Sequence, residues 1–232
     1  MNGELLLPFH LFDDEAEVSI VERRLPHWSQ PGTIVFITFR AADSMPSAVL
    51  DEWFGERAQW LRKQGIDPQA VNWRDHLKRI DPQLVRAFHD RFWNRWHDAL
   101  DAGHGACALR DADCATIVSK SLHHFDGQRY VLLDFVVMPN HVHLLAAFAD
   151  EDAMLAQCES WKHYTATQIN RHLRRKGRFW EQDAYDHLVR SDDQFAYLRR
   201  YIAENPRKAH LGPGQFQHYS RRLTMPSGKA MF

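Results

Sequence analysis

From Arg129 the chain reads Arg-Tyr-Val-Leu-Leu-Asp-Phe-Val-Val-Met, then Pro139-Asn140, then His-Val-His-Leu-Leu-Ala-Ala-Phe up to Phe148. Two apolar runs across a two-residue Pro-Asn break predict adjacent antiparallel strands. The pattern fixes more than a hairpin. His141 and His143 are two residues apart on the second strand, so their side chains share one face while Val142 points to the other. Two imidazoles on one face, directly after a tight turn, make a ready two-ligand metal site.

The other elements arrange themselves around this pair. Thr33-Ile-Val-Phe-Ile-Thr-Phe-Arg40 follows a Pro31-Gly32 turn and predicts a core strand. A helix is expected to open at Asp113 and end near Phe125-Asp126-Gly127, with Gly127 as its C-terminal cap. A long helix is expected from about Asp152, with Leu155, Cys158, Trp161, Thr165, Ile169 and Leu173 at helical spacing. Arg178-Phe-Trp-Glu181 reads as a short strand. Ser191-Asp-Asp-Gln194 is a capping box for a last helix, expected to stop before Pro206. The order βαββαβ plus a helix predicts an α+β, ferredoxin-like antiparallel sheet. Residues about 45–105, rich in Trp and charge, read as a helical insertion between the first strand and the next core helix. One domain is expected over residues 23–212, with 213–232 as a tail.

Composition narrows the class of protein. With 232 residues, 44% hydrophobic and 25% charged, the chain matches an ordinary globular protein rather than a fibrous or disordered one. No apolar run approaches the roughly 20 residues of a membrane span, and no signal-peptide pattern opens the sequence. A cytoplasmic protein that engages no membrane is expected. Three cysteines without CxxC spacing support neither a disulfide framework nor a zinc finger. The net charge of -1 conceals an asymmetry: residues 1–150 hold 15 Lys+Arg against 21 Asp+Glu, and residues 151–232 hold 14 against 9. A basic C-terminal third suits a polyanion such as nucleic acid.

At this level the residues resemble a known family. Val137-Met-Pro-Asn-His-Val-His-Leu144, with Tyr201-Ile-Ala-Glu-Asn-Pro-Arg-Lys208 downstream, is similar to the HUH single-strand DNA transposases. More narrowly it resembles the REP-associated tyrosine transposases, which act on hairpin-forming repeats. Arg24-Leu-Pro-His-Trp28 and Phe179-Trp-Glu, followed by Tyr185-Asp-His187, fit the same group. The resemblance spans residues 23–212 apart from the helical insertion.

It implies that His141 and His143 hold Mg²⁺ or Mn²⁺, that Tyr201 is the nucleophile, and that no organic cofactor takes part. The implied reaction is transesterification on single-stranded or hairpin DNA through a 5′-phosphotyrosine. On the last helix Phe195, Leu198 and Ile202 form an apolar stripe, which places Tyr201 off the stripe with Asn205 one turn further along. The Asn205 amide oxygen stands where the family carries a polar ligand. It is one methylene shorter than the Gln or Glu of many relatives, so direct and indirect ligation both stay open. Tyr164 is the rival nucleophile, while Tyr197 and Tyr185 read as packing residues.

Arg171, Arg174, Arg175, Lys176 and Arg178, with Arg199, Arg200, Arg207 and Lys208, would line a path for phosphates. Lys162 would neutralise transition-state charge, and Trp180 or Trp28 would stack on bases. Two other classes compete with this reading. A non-catalytic nucleic-acid-binding module of ferredoxin-like fold would need neither metal nor nucleophile, but the RNA-recognition pattern of two aromatics on a central strand is absent. A water-using metal hydrolase would keep both histidines and make Tyr201 dispensable. The oligomeric state, monomer or homodimer, is open.

Overall fold

The computed structural model describes residues 19–22, 26–29, 32–182 and 185–222. Arg23, Arg24 and Leu25, and the end of the chain beyond 222, lie outside the described residues, as does the side chain of Trp28. The chain divides into two compact units, one of residues up to Ala42 together with those from Cys107 on, the other of Asp43–Ala106.

A short hairpin of β1 (Ser19–Glu22) and β2 (Pro26–Ser29) precedes the main sheet of the first unit. That sheet is antiparallel throughout and has five strands: β3 (Ile34–Arg40), β4 (Tyr130–Val137), β5 (His141–Phe148), β6 (Tyr185–Leu188) and β7 (Gln217–Ser220), in the order β6-β3-β5-β4-β7. The Pro139-Asn140 turn closes as expected, with Met138 N–H donating to the His141 carbonyl at 2.8 Å. The unit is thus an α+β fold with helices α4 (Ala112–His124), α5 (Glu151–His172) and α6 (Asp192–Lys208).

Side-chain alternation assigns the two faces of the sheet. Val35, Ile37 and Phe39 of β3, Val142, Leu144 and Ala146 of β5, and Phe135 and Val137 of β4 form one core. Cys114, Val118 and Leu122 of α4 and Met154, Trp161 and Ile169 of α5 complete it. The intervening residues, including Phe36, Thr38, His141 and His143, occupy the opposite face, where α6 lies. Two buried polar groups of the first core satisfy each other. Trp161 donates its indole N–H to the Tyr130 hydroxyl at 3.3 Å, and that hydroxyl donates to the Leu122 carbonyl at 2.7 Å.

Each of these helices starts at a side-chain cap. Asp111 accepts from the backbone N–H of Asp113 and Cys114, Asp150 from that of Ala153, and Ser191 from that of Gln194. The Gln194 side chain reaches back to the N–H of Arg190 at 2.8 Å, one residue beyond the expected box partner. Burial, followed by the Asp111 carboxylate, pushes the Cys114 thiol up to about 12. At pH 8 its thiolate fraction is therefore on the order of 10⁻⁴. Iodoacetamide should accordingly label half-buried Cys158 while leaving Cys107 and Cys114 unmodified in the folded chain, as peptide mass mapping would show. Rapid native-state labelling of Cys114 would contradict the packing described.

Three sequence expectations change. The last helix runs through Pro206 to Lys208. Proline removes the N–H that the Ile202 carbonyl would accept, but only two residues follow it in the helix and its ring is buried, so packing outweighs the loss. Arg178–Glu181 is not a strand: Trp180 makes one isolated bridge to Ala41, and the edge strand is β6 instead. Gln217–Ser220, expected within a tail, pairs with β4.

The second unit is helical. It contains α1 (Ser47–Lys63), α2 (Trp73–Leu77) and α3 (Pro82–Asp101), with Asp81 capping α3 ahead of Pro82 at its first position. Leu61, Ile66, Leu77, Phe88 and Phe92 form its core. Trp53 makes edge contacts with Phe92 and Trp96 and donates its indole N–H to the Phe92 carbonyl at 3.2 Å. No helix among the described residues is long and apolar enough to cross a membrane.

Candidate active site

The site is built on the face of β3 and β5 turned toward α6. In the strand register His143 lies opposite Thr38 and His141 opposite Arg40, so sheet pairing alone assembles these four side chains. Both imidazoles are fully buried, with ring centroids 4.5 Å apart. The neighbours of their Nδ1 atoms decide how they are used. His141 Nδ1 lies 2.8 Å from Asn140 Oδ1, which can only accept, so Nδ1 carries the proton and Nε2 keeps its lone pair. His143 Nδ1 hydrogen-bonds Thr38 Oγ1 at 2.7 Å, which fixes the orientation of the ring. Imidazoles held at Nδ1 by an oxygen and presenting Nε2 are oriented as metal ligands usually are.

Helix α6 brings the tyrosine. Tyr201 Oη lies 3.4 Å from His143 Nε2, and its ring meets those of His143 and Phe36 edge-on at 5.3 and 6.1 Å. Contrary to the expectation from the Phe195-Leu198-Ile202 stripe, Tyr201 is itself buried, at 6% exposure. The buried arc of α6 is wider than the apolar residues alone define, because it includes a phenol and an amide. Asn205 is fully buried one turn on, and neither its Oδ1 nor its Nδ2 has a hydrogen-bond partner among the described residues. An amide buried in that state costs free energy unless something binds it. Paired imidazole nitrogens are borderline donors, which suits a divalent cation.

The basic residues divide into distinct environments. Lys208 is exposed, and its Nζ lies 5.0 Å from the Tyr201 ring centroid. Arg200 and Arg207 are exposed on α6, Arg207 within 3.9 Å of Glu204. Arg171, Arg174, Lys176 and Arg178 are exposed at and beyond the end of α5, with Arg178 3.5 Å from Glu181, while half-buried Arg175 lies over the Phe179 ring. Lys162 is half-buried and donates to the carbonyls of Glu181 and Gln182. Arg199 is committed elsewhere: Nε and Nη2 bond the two Asp134 oxygens at 2.9 and 3.2 Å, and Nη2 also donates to Ser220 Oγ and the Arg221 carbonyl.

Trp180 is buried against Phe39 and donates its indole N–H to Thr165 Oγ1, so it presents no face for stacking. Tyr164 is 51% exposed on α5, outside the histidine cluster that holds Tyr201. The sequence reading missed Thr38 and Asn140, which orient the imidazoles. Asn140 was visible in the turn motif itself, whereas Thr38 needs the strand register.

Two imidazoles flank a hydrophobic strand residue and are faced by a helix-borne tyrosine. In the family comparison, residues 111–205 match the family described as "Transposase IS200 like". That span contains His141, His143, Tyr201 and Asn205. Among solved structures, one described as "Structure of the REP associates tyrosine transposase bound to a REP hairpin" is similar at 14% identity and a TM-score of 0.38. The match covers 81% of this chain and 73% of that one. No curated protein matches the chain.

Proposed function

We propose that this chain is a metal-dependent tyrosine transposase and endonuclease that cleaves and rejoins single-stranded or hairpin DNA, with REP-like repeats as its substrate class. The observation that carries the reading is the buried cluster of Tyr201, His143 and His141 within the IS200-like match. The strand order β6-β3-β5-β4 supports a ferredoxin-like sheet, in one domain over residues 23–212 that is interrupted by the helical insertion and extended by β7. A cytoplasmic location follows from a DNA substrate.

Tyr201 Oη attacks phosphorus, the bond to the 3′ oxygen breaks, and a 5′-phosphotyrosine forms. The phenol loses a proton and the departing 3′ oxygen gains one, so the exchange is balanced and keeps the ester energy for rejoining. His141, His143 and Asn205 would hold Mg²⁺ or Mn²⁺, whose Lewis acidity polarises the scissile phosphate. Asn140 holds His141 in the tautomer that presents Nε2, and Thr38 fixes the ring orientation of His143. Lys208, beside the phenol, counters charge on the phosphate. Arg171, Arg174, Arg175, Lys176, Arg178, Arg200 and Arg207 would guide the rest of the strand. A non-catalytic binding module gives no reason to bury two imidazoles, a phenol and an amide together.

The test is covalent trapping on a hairpin oligonucleotide. The unmodified protein should form an adduct with Mg²⁺ or Mn²⁺ and none in EDTA. His141→Ala and His143→Ala should each lower the rate by more than about 100-fold, and Asn140→Ala, which removes only an orienting oxygen, by about 10- to 100-fold. Full activity in EDTA would overturn the metal assignment.

A further inference from the structure

Tyr197 reads from the sequence as a packing residue, yet it is 49% exposed. It sits one helical turn before Tyr201 on α6, and the two rings lie nearly parallel, with centroids 6.4 Å apart and planes 24° from each other. The inner ring meets that of His143 edge-on, while the outer residue is about half exposed. A flat aromatic surface is thereby continued from the reacting phenol to the outside of the protein. The charges around it are graded. Asp192 and Asp193 are exposed in the first turn of α6, whereas Arg200 and Lys208 are exposed on the C-terminal side of Tyr197. An anionic strand crossing this ring is favoured toward the Arg200 and Lys208 end.

We infer that Tyr197 is a stacking platform for the unpaired nucleobase adjoining the phosphate that Tyr201 attacks. The inference rests on the single-strand DNA reading above and adds to it a base-binding subsite. A base can lie on this ring only when it is unstacked from its neighbours, so the subsite accepts single strands and rejects a continuous duplex. It reads the presence of a base and not its identity, because every base offers a π face. The ring and not its hydroxyl is the binding element, which predicts that phenylalanine will serve as well.

The experiment measures binding by fluorescence anisotropy, using a hairpin oligonucleotide with single-stranded thymidine tails and the same hairpin with abasic tails. Tyr197→Ala should weaken binding of the thymidine-tailed hairpin by about 5- to 150-fold, the range expected for losing one stacked base. Tyr197→Phe should bind like the unmodified protein. On the abasic-tailed hairpin, Tyr197→Ala and the unmodified protein should bind alike. Equal loss on both tails, or no loss on either, overturns the stacking role. Failure of the unmodified protein to bind the thymidine-tailed hairpin overturns the single-strand DNA reading itself and the subsite with it. Because the readout is binding, absence of cleavage alone leaves the subsite test decisive.

Discussion

Tyr201→Phe is expected to eliminate the covalent protein–DNA adduct, lowering its rate of formation by about 10⁴-fold or more, since no other oxygen replaces a removed nucleophile. The change deletes one oxygen from a ring that packs against Phe36 and His143, so the ring contacts remain. The hydroxyl's link to His143 Nε2 spans 3.4 Å, and losing it should cost no more than about 1 kcal/mol of stability. Urea unfolding and oligonucleotide affinity should therefore stay close to those of the unmodified protein while single-turnover trapping fails. Tyr164→Phe, made on the exposed face of α5, should leave trapping unchanged. The reverse pattern would move the nucleophile to α5 and dissolve the argument built on α6. If both variants trapped equally well, the linkage would not be through either tyrosine.

The parts of this site that could be read from sequence are those governed by short-range geometry. The alternation of a strand put His141 and His143 on one face, and the turn before them fixed where the strand began. The helix period placed Asn205 one turn beyond Tyr201. What escaped depends on pairing across long separations. Thr38 meets His143 only because β3 and β5 pair in one register, 105 residues apart in sequence. The β7 segment, Gln-His-Tyr-Ser, has no apolar alternation and gives no strand signal; it is a strand because the edge of β4 offers backbone partners. Trp180 and Tyr201 were both placed too near the surface. Each is buried by an element that hydrophobic spacing does not reveal, the indole by its bond to Thr165 on α5 and the phenol by the imidazole of β5. Pro206 was read as a stop because local rules disfavour it within a helix, and tertiary packing overrode them.

Arg199 shows how far the same limitation reaches, and it carries the second large effect. In a basic run beside Tyr201 it reads as a phosphate contact, yet its guanidinium is a fork on Asp134, whose side chain is only 2% exposed. Ser220 Oγ donates to the same carboxylate at 2.5 Å, so α6, β4 and β7 are joined at one ion pair. Arg199→Met removes the cation and leaves the carboxylate buried with the serine alone. That should destabilise the protein by about 3–5 kcal/mol, a large part of the 5–15 kcal/mol typical of a folded domain. The double variant Arg199→Met with Asp134→Leu should recover most of the loss, because no buried charge then lacks a partner. Urea unfolding of the single and double variants measures both quantities. If Arg199 instead contacts DNA, the single variant would unfold normally and bind the hairpin more weakly, with a shallower dependence of affinity on salt. A stable Arg199→Met protein would thus return Arg199 to the nucleic-acid path, whereas a destabilised one rescued by Asp134→Leu fixes it as the tie that holds α6 to the sheet.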